Sequence, residues 1–243
     1  MKKKLLILID TMKPMIDGVS IFLNYTLPYL TDKYDVTIIA TDYSNETYEN
    51  AKLIKFPRIF SNITGYGPVF VNRRIIKKEV KKCDYVLNHE SVSPIAASFF
   101  ALKYAKKYNK PFFTYVHSID WELFPETISI PKFIRNLAKD ISKIIICWYL
   151  RIENNIKIVS LPFLKNKLED VGVTGDYEII PIGISDYFKP VKVKKNFKNK
   201  IVIAYSGRVS REKGMDILLS GGFISRSQKS PVFILIQRGY RIT

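Results

Sequence analysis

Two cations, Arg208 and Lys213, lie five residues apart in the stretch GRVSREKG, bracketed by Gly207 and Gly214. An apolar run, Ile201–Tyr205, precedes them and a helix-like run, Met215–Leu219, follows. A strand, a glycine-bearing turn and a helix start together form the arrangement by which nucleotide-binding α/β units hold a phosphate. A fork-shaped guanidinium beside a point-charge ammonium suits a diphosphate, including one that departs as a dianion. Two exposed loop cations would have the same composition. The glycines at both ends of a strand–helix junction favour the phosphate reading.

A second group with chemical potential lies in VHSIDWELFP, where His117 follows the apolar run PFFTYV. Ligands of open α/β sheets bind beyond the carboxyl ends of the strands, so a polar residue there is well placed. Asp120, Trp121 and Glu122 add a carboxylate pair and an aromatic surface. Read alone, His117 is equally a loop histidine with a structural hydrogen bond. His89, just past YVLN, has a similar position but nothing adjacent in sequence converges on it, and it ranks below His117. Near the start, the loop TMKPMIDG ends at Asp17 and Gly18 before a helix-like run. A glycine at that place is either a simple turn or a point where backbone N–H groups approach an anion. Neither GxGxxG nor a Walker lysine pattern is present, which argues against a standard dinucleotide site or P-loop.

The elements that must carry these residues follow from the hydrophobic pattern, in which short apolar runs alternate with longer amphipathic ones. Strands are expected at Lys4–Ile9, Val36–Ala40, Lys52–Phe56, Tyr85–Asn88, Phe112–Val116, Ile156–Ser160 and Glu178–Ile180. Helices are expected at Val19–Leu30, Asn72–Lys82, Pro94–Tyr108, Lys132–Tyr149 and Pro162–Val171. Near-continuous apolar strands such as LLILI fit a parallel sheet covered on both faces. Pro94 suits the first turn of its helix, whereas Pro28 is expected to kink or end the first helix. Loop signals fall at Ser61–Pro68 and between Pro181 and Lys200. The reading is α/β, with a Rossmann-like parallel sheet in domain 1–190 and a linker plus an incomplete second domain at 191–243.

Composition narrows the function classes. Of 243 residues, 39 are basic and 22 acidic, a formal charge of +17, which attracts nucleic acid, anionic headgroups or nucleotide phosphates. A lysine-rich solvated surface is an equal explanation. Six lysines between Lys189 and Lys200 place part of the excess at the domain junction. Nucleic-acid binding would rest on charge alone and is not expected. Cys83 and Cys147 read as buried reduced thiols, and two histidines without HExxH spacing give no metal site. The longest apolar runs are far short of the ~20 residues that span a membrane. The charged start and short apolar run ending at Asp10 read as a first strand rather than a signal peptide, so a cytoplasmic protein is expected.

Taken together, these segments resemble glycosyltransferase family 4, retaining enzymes of the GT-B fold with two facing Rossmann-like domains. The resemblance is carried by PMIDGVS from Pro14 to Ser20, by His117 after its strand, and by Ile158–Ser160 leading into PFLKNKLEDVGV. It continues through IPIGI at Ile180–Ile184 with Phe188 and Pro190, then GRVSREKG with Met215–Leu219. It implies the N-terminal domain of a GT-B glycosyltransferase followed by the first strand–helix–strand of the second domain. The implied reaction moves a sugar from a nucleotide-sugar donor to a glycan or lipid-linked acceptor, with retention and without a bound metal or other cofactor. Arg208 and Lys213 match the cations that hold the donor diphosphate and stabilise the leaving group. Gly18 matches the loop glycine near the donor phosphates, and His117 matches a histidine facing the transferring sugar, the one catalytic position implied. Asp17, Asp120, Trp121 and Glu122 are the acceptor-side candidates.

The family's second domain carries a glutamate pair, E-x7-E, for donor sugar and ribose, whereas after Glu212 the only acidic residue here is Asp216. Gly221-Gly222 also interrupts an expected helix. The expectation is a family member truncated or frameshifted after Leu219, with doubtful activity alone. The alternatives are a non-catalytic module binding a glycan or lipid headgroup, and one half of a split enzyme completed by a separate C-terminal half. A cationic acceptor side would also suit an anionic membrane surface.

Overall fold

The computed structural model describes residues 1–10, 18–41, 48, 50–57, 71–90, 96–122, 132–183, 201–207, 217 and 232–238. The chain divides into two compact units, Met1–Ser185 and Asp186–Thr243. In the first, seven strands run β1 Lys3–Ile9, β2 Tyr34–Thr41, β3 Ala51–Phe56, β4 Tyr85–Asn88, β5 Phe112–Val116, β6 Asn155–Val159 and β7 Tyr177–Ile179. The described helices are α1 Gly18–Lys33, α2 Arg73–Lys82, α3 Ala97–Lys107, α4 Lys132–Leu150 and α5 Pro162–Asp170. The strand order is β3-β2-β1-β4-β5-β6-β7, all neighbours parallel. Strand order therefore reverses direction at β1, whose neighbours are β2 and β4. Such a switch point is where open α/β sheets bind ligands.

The alternation of β1 explains the layering. Successive strand side chains point to opposite faces. Leu5, Ile7 and Ile9 join Leu23 and Leu27 of α1 in one buried cluster. Leu6 and Leu8 join residues of α2, α3, α4 and α5 in the other. A strand buried on both sides must be apolar throughout, which is why LLILI reads as a continuous run. Cys83 and Cys147 are buried free thiols, and burial pushes the Cys83 thiol up to about 11.

Local chemistry sets several boundaries. Asn72 does not start α2 but caps it, its Oδ1 accepting from the backbone N–H of Arg74 and Ile75 at 3.1 and 3.3 Å. The start of α3 is at Ala97, and Pro94 lies outside the described residues. The first helix does not end at Pro28 but continues to Lys33. Pro28 forfeits one main-chain bond, yet Leu23 and Leu27 on the preceding turn are seated in the core, and that packing outweighs the loss. The Ser61–Pro68 loop and the lysines from Lys189 to Lys200 lie outside the described residues.

In the second unit, β8 Ile201–Gly207 and β9 Val232–Arg238 pair in parallel, from Ile201 opposite Val232 to Gly207 opposite Arg238. Ile217, between them in sequence, is helical. The first glycine of GRVSREKG is thus the last residue of β8.

Candidate active site

The site is built where β1, β4 and β5 end. Register aligns Leu8 of β1 with Asn88 of β4, and Asn88 with Thr114 of β5. The residues just past β4 and β5 therefore emerge side by side at the carboxyl edge. His89 is anchored by its backbone N–H donating to the Leu8 carbonyl at 2.8 Å. The Asn88 side chain braces the same turn, its Nδ2 donating to the Glu90 carbonyl and its Oδ1 accepting from the Glu90 N–H. This turn cannot swing without breaking three bonds.

From that edge the two histidine rings meet, with His89 Nδ1 and His117 Nε2 2.9 Å apart in a hydrogen bond. Tyr115 stacks on His117 with centroids 4.4 Å apart and on His89 at 5.3 Å. Phe22 of α1 lies across all three rings at 5.2–6.0 Å. The Tyr115 hydroxyl donates to the Ile180 carbonyl at 2.8 Å, just past β7. Burial, and secondarily the neighbouring His117, push the His89 imidazole down to about 3, so it is neutral at physiological pH. The sequence placed His89 below His117 because nothing nearby converged on it. The structure corrects this, since what converges on His89 is His117 itself, brought in by the neighbouring strand.

A cavity of about 90 Å³ opens beside the pair, with Val19, Glu90, Thr114, Ser118, Asp120 and Trp121 among its walls. Glu90 was not singled out from the sequence. Its carboxylate accepts from the backbone N–H of Ala97 and Ser98 at the start of α3, where Ala96 offers no side-chain cap. Burial and then the charge of Asp10 push Glu90 up to about 8, against the pull of those amides. Asp120 is also raised by burial, opposed by the Ser118 hydroxyl that donates to it at 2.7 Å.

The acceptor-side candidates divide. Trp121 is 5% exposed and packed into the core, so its ring forms cavity wall and not an open aromatic surface. Glu122 is drawn to Lys167 of α5 at 3.1 Å, while Asp120 is held by Ser118, so each carboxylate has its own partner. Gly18 is the first residue of α1, and among the described residues nothing lies within 4 Å of where its Cβ would stand. Asp17, Arg208 and Lys213 lie outside the described residues. Among the described residues no cluster of histidine, cysteine or carboxylates could hold a metal ion, and no helix is long and apolar enough to cross a membrane.

Comparison with known proteins adds to this geometry. The family model for Glycosyltransferase Family 4 matches residues 16–186. No curated protein matches the chain by sequence. Among solved structures, the chain is similar to Anabaena Alr3699/HepE in complex with UDP and glucose, at 15% identity and a TM-score of 0.61, covering 96% of this chain and 60% of that one. The same protein in complex with UDP-glucose gives 14% identity, a TM-score of 0.61 and the same coverage. Medicago truncatula UGT71G1 complexed with UDP-glucose gives 9% identity and a TM-score of 0.47 over 99% of this chain and 67% of that one. The chain thus spans 60% of the length of HepE, and at this identity the likeness is one of fold.

Proposed function

The chain belongs to glycosyltransferase family 4, and on that premise we propose that it moves a sugar from a nucleotide-sugar donor to a glycan or lipid-linked acceptor with retention of configuration. The observation that carries this reading is His117, held at the carboxyl end of β5 beside a polar cavity, within the segment that matches the family. In the reaction the bond from the sugar anomeric carbon to the diphosphate oxygen breaks. A bond to the acceptor hydroxyl forms on the same face, and the acceptor proton leaves with the diphosphate. Arg208 and Lys213 stabilise that departing dianion; removing one such group costs about 10²–10³ in rate. His117 contacts the sugar. At Gly18, neither packing among the described residues nor a left-handed backbone calls for glycine, which leaves room for close approach of a phosphate.

The test is incubation of the purified chain with UDP- and GDP-sugars and a panel of lipid-linked acceptors, alone and with a separately expressed C-terminal half from a family member. Product with retained configuration, lost in Arg208→Ala and His117→Ala, supports the reading. Tight acceptor binding with no turnover under either condition supports a non-catalytic module instead.

An anionic membrane surface is the proposed location of the acceptor. Helix α2 presents six exposed cations, Arg73, Arg74, Lys77, Lys78, Lys81 and Lys82, over a buried Ile76 and Val80. Helix α4 leaves Ile134, Leu137, Ile141, Ile144 and Trp148 between 40% and 70% exposed, at alternating spacings of three and four residues. The two are bridged by rings of α3, with Trp148 5.8 Å from Phe99 and Arg73 over Phe100 at 4.3 Å. Cations beside an apolar stripe and an exposed indole suit an anionic bilayer, at about 1 kcal/mol per basic residue near the surface. Flotation with phosphatidylglycerol vesicles should exceed that with phosphatidylcholine and fall in Lys77→Gln/Lys78→Gln/Lys81→Gln. Equal flotation with both lipids removes this surface from the proposal.

A further inference from the structure

We propose that His89 is the positioning residue of His117: the hydrogen bond between His89 Nδ1 and His117 Nε2 fixes the orientation of the His117 ring and couples its tautomer to that of His89. This role rests on the reading of His117 as the group facing the sugar. The two are the only histidines in the chain, and each directly follows a different strand, β4 and β5. Their 2.9 Å contact is supported on three sides. The His89 backbone is tied to β1 through Leu8, Tyr115 stacks on both imidazoles, and Phe22 of α1 closes over the group. His89 is 5% exposed, so its ring is held by packing as well as by hydrogen bonding. A side chain that must meet a reacting group needs this kind of support, because a small misplacement costs rate steeply.

Proton counting gives the pair a definite behaviour. One hydrogen bond between two imidazole nitrogens uses one proton and one lone pair. When His117 is doubly protonated, both its nitrogens donate, and the bond survives only if His89 Nδ1 accepts, with the His89 proton on Nε2. Burial holds His89 neutral, so His89 carries one ring proton and its hydrogen bond to His117 uses either that proton or the Nδ1 lone pair. The other titratable groups lining the cavity are Glu90 from the turn after β4, Tyr115 on β5 and Asp120 beyond it, with Asp10 acting on Glu90. Nε2 of His117 is committed to His89, so the pair dictates which side of the imidazole a ligand meets.

Long-range ¹H–¹⁵N spectra of the ¹⁵N-labelled full chain test this directly, because two histidines give two resolvable rings, assigned with His117→Ala. Between pH 5 and 8.5 the His89 ring is expected to stay neutral. An N–N coupling through the hydrogen bond should connect His89 Nδ1 and His117 Nε2. In His89→Phe the coupling is lost and the tautomer balance of His117 shifts from that of the parent. In His89→Asn, whose side-chain amide can accept from or donate to Nε2, the tautomer balance returns toward that of the parent. The absence of coupling between the two rings overturns the proposal, as does a His117 tautomer unchanged in a folded His89→Phe. Should His89→Phe fail to fold, the parent coupling and His89→Asn decide. None of these readouts needs a donor or an acceptor. If UDP-glucose then leaves the His117 signals unmoved, the sugar-facing reading fails while the pair stands.

Discussion

Replacing Glu90 by glutamine should destabilise the protein at acidic pH and stop doing so at alkaline pH, and the crossing point follows from the site. Two influences compete on the Glu90 carboxyl. The amides of Ala97 and Ser98 at the start of α3 favour its charge, while complete burial and the charge of Asp10 oppose it. Burial dominates and the group rises from 4.5 to about 8. The native state then binds a proton that the unfolded chain has released over this interval. Stability is fully present below pH 4.5 and is lost as pH rises through about 8. At about 1.36 kcal/mol per unit, the loss has an upper figure of roughly 5 kcal/mol. Glutamine cannot ionise, but its amide faces one of the two N–H groups without a lone pair, costing about 1–3 kcal/mol at any pH. Glu90→Gln is therefore expected to be less stable than the parent by about 1–3 kcal/mol at about pH 4, and as stable or more so at pH 8.5. Urea unfolding followed by tryptophan fluorescence measures this cleanly, since both tryptophans, Trp121 and Trp148, belong to the first unit. A difference that is the same at both pH values, or larger at pH 8.5, would show that the helix amides win and that Glu90 is ionised throughout.

Three further outcomes are expected. His89, held neutral down to about 3 against 6.5 in the unfolded chain, should cost stability of order a few kcal/mol as pH falls through that window; His89→Phe should flatten this acid limb in the same urea series. Thr114→Val removes the hydroxyl that donates to the buried Asn155 Oδ1 at 2.6 Å and should lower stability by about 1–3 kcal/mol by denaturant midpoint. Gly18→Ala meets no neighbour among the described residues and should leave stability unchanged or raise it by up to about 1 kcal/mol, read from the denaturant midpoint. Titration calorimetry with UDP-glucose should show weakened binding by the same variant; undiminished binding would assign Gly18 to the turn alone.

What could be read from the chain, and what could not, separates along a physical line. The strands Tyr85–Asn88 and Phe112–Val116 were legible to the residue because a doubly covered parallel strand must be apolar at nearly every position. The place of His117 was legible for the same reason, since a polar residue ending such a run must emerge at the sheet edge. The extension of the first helix past Leu30 to Lys33 was not, because it depends on how firmly Leu23 and Leu27 are seated, a property of the core. The role of Glu90 was hidden likewise, because it caps a helix that begins seven residues away and no short motif records that distance. His89 is the instructive case. Its signal was present, as YVLN and PFFTYV each end in a histidine, and consecutive strands of a parallel sheet are often neighbours. Judging each histidine against its own flanking residues concealed the pair; asking which strand ends are adjacent reveals it. In a sheet of this kind the unit of site prediction is the set of residues just past neighbouring strands, and here that set comprises both histidines of the chain.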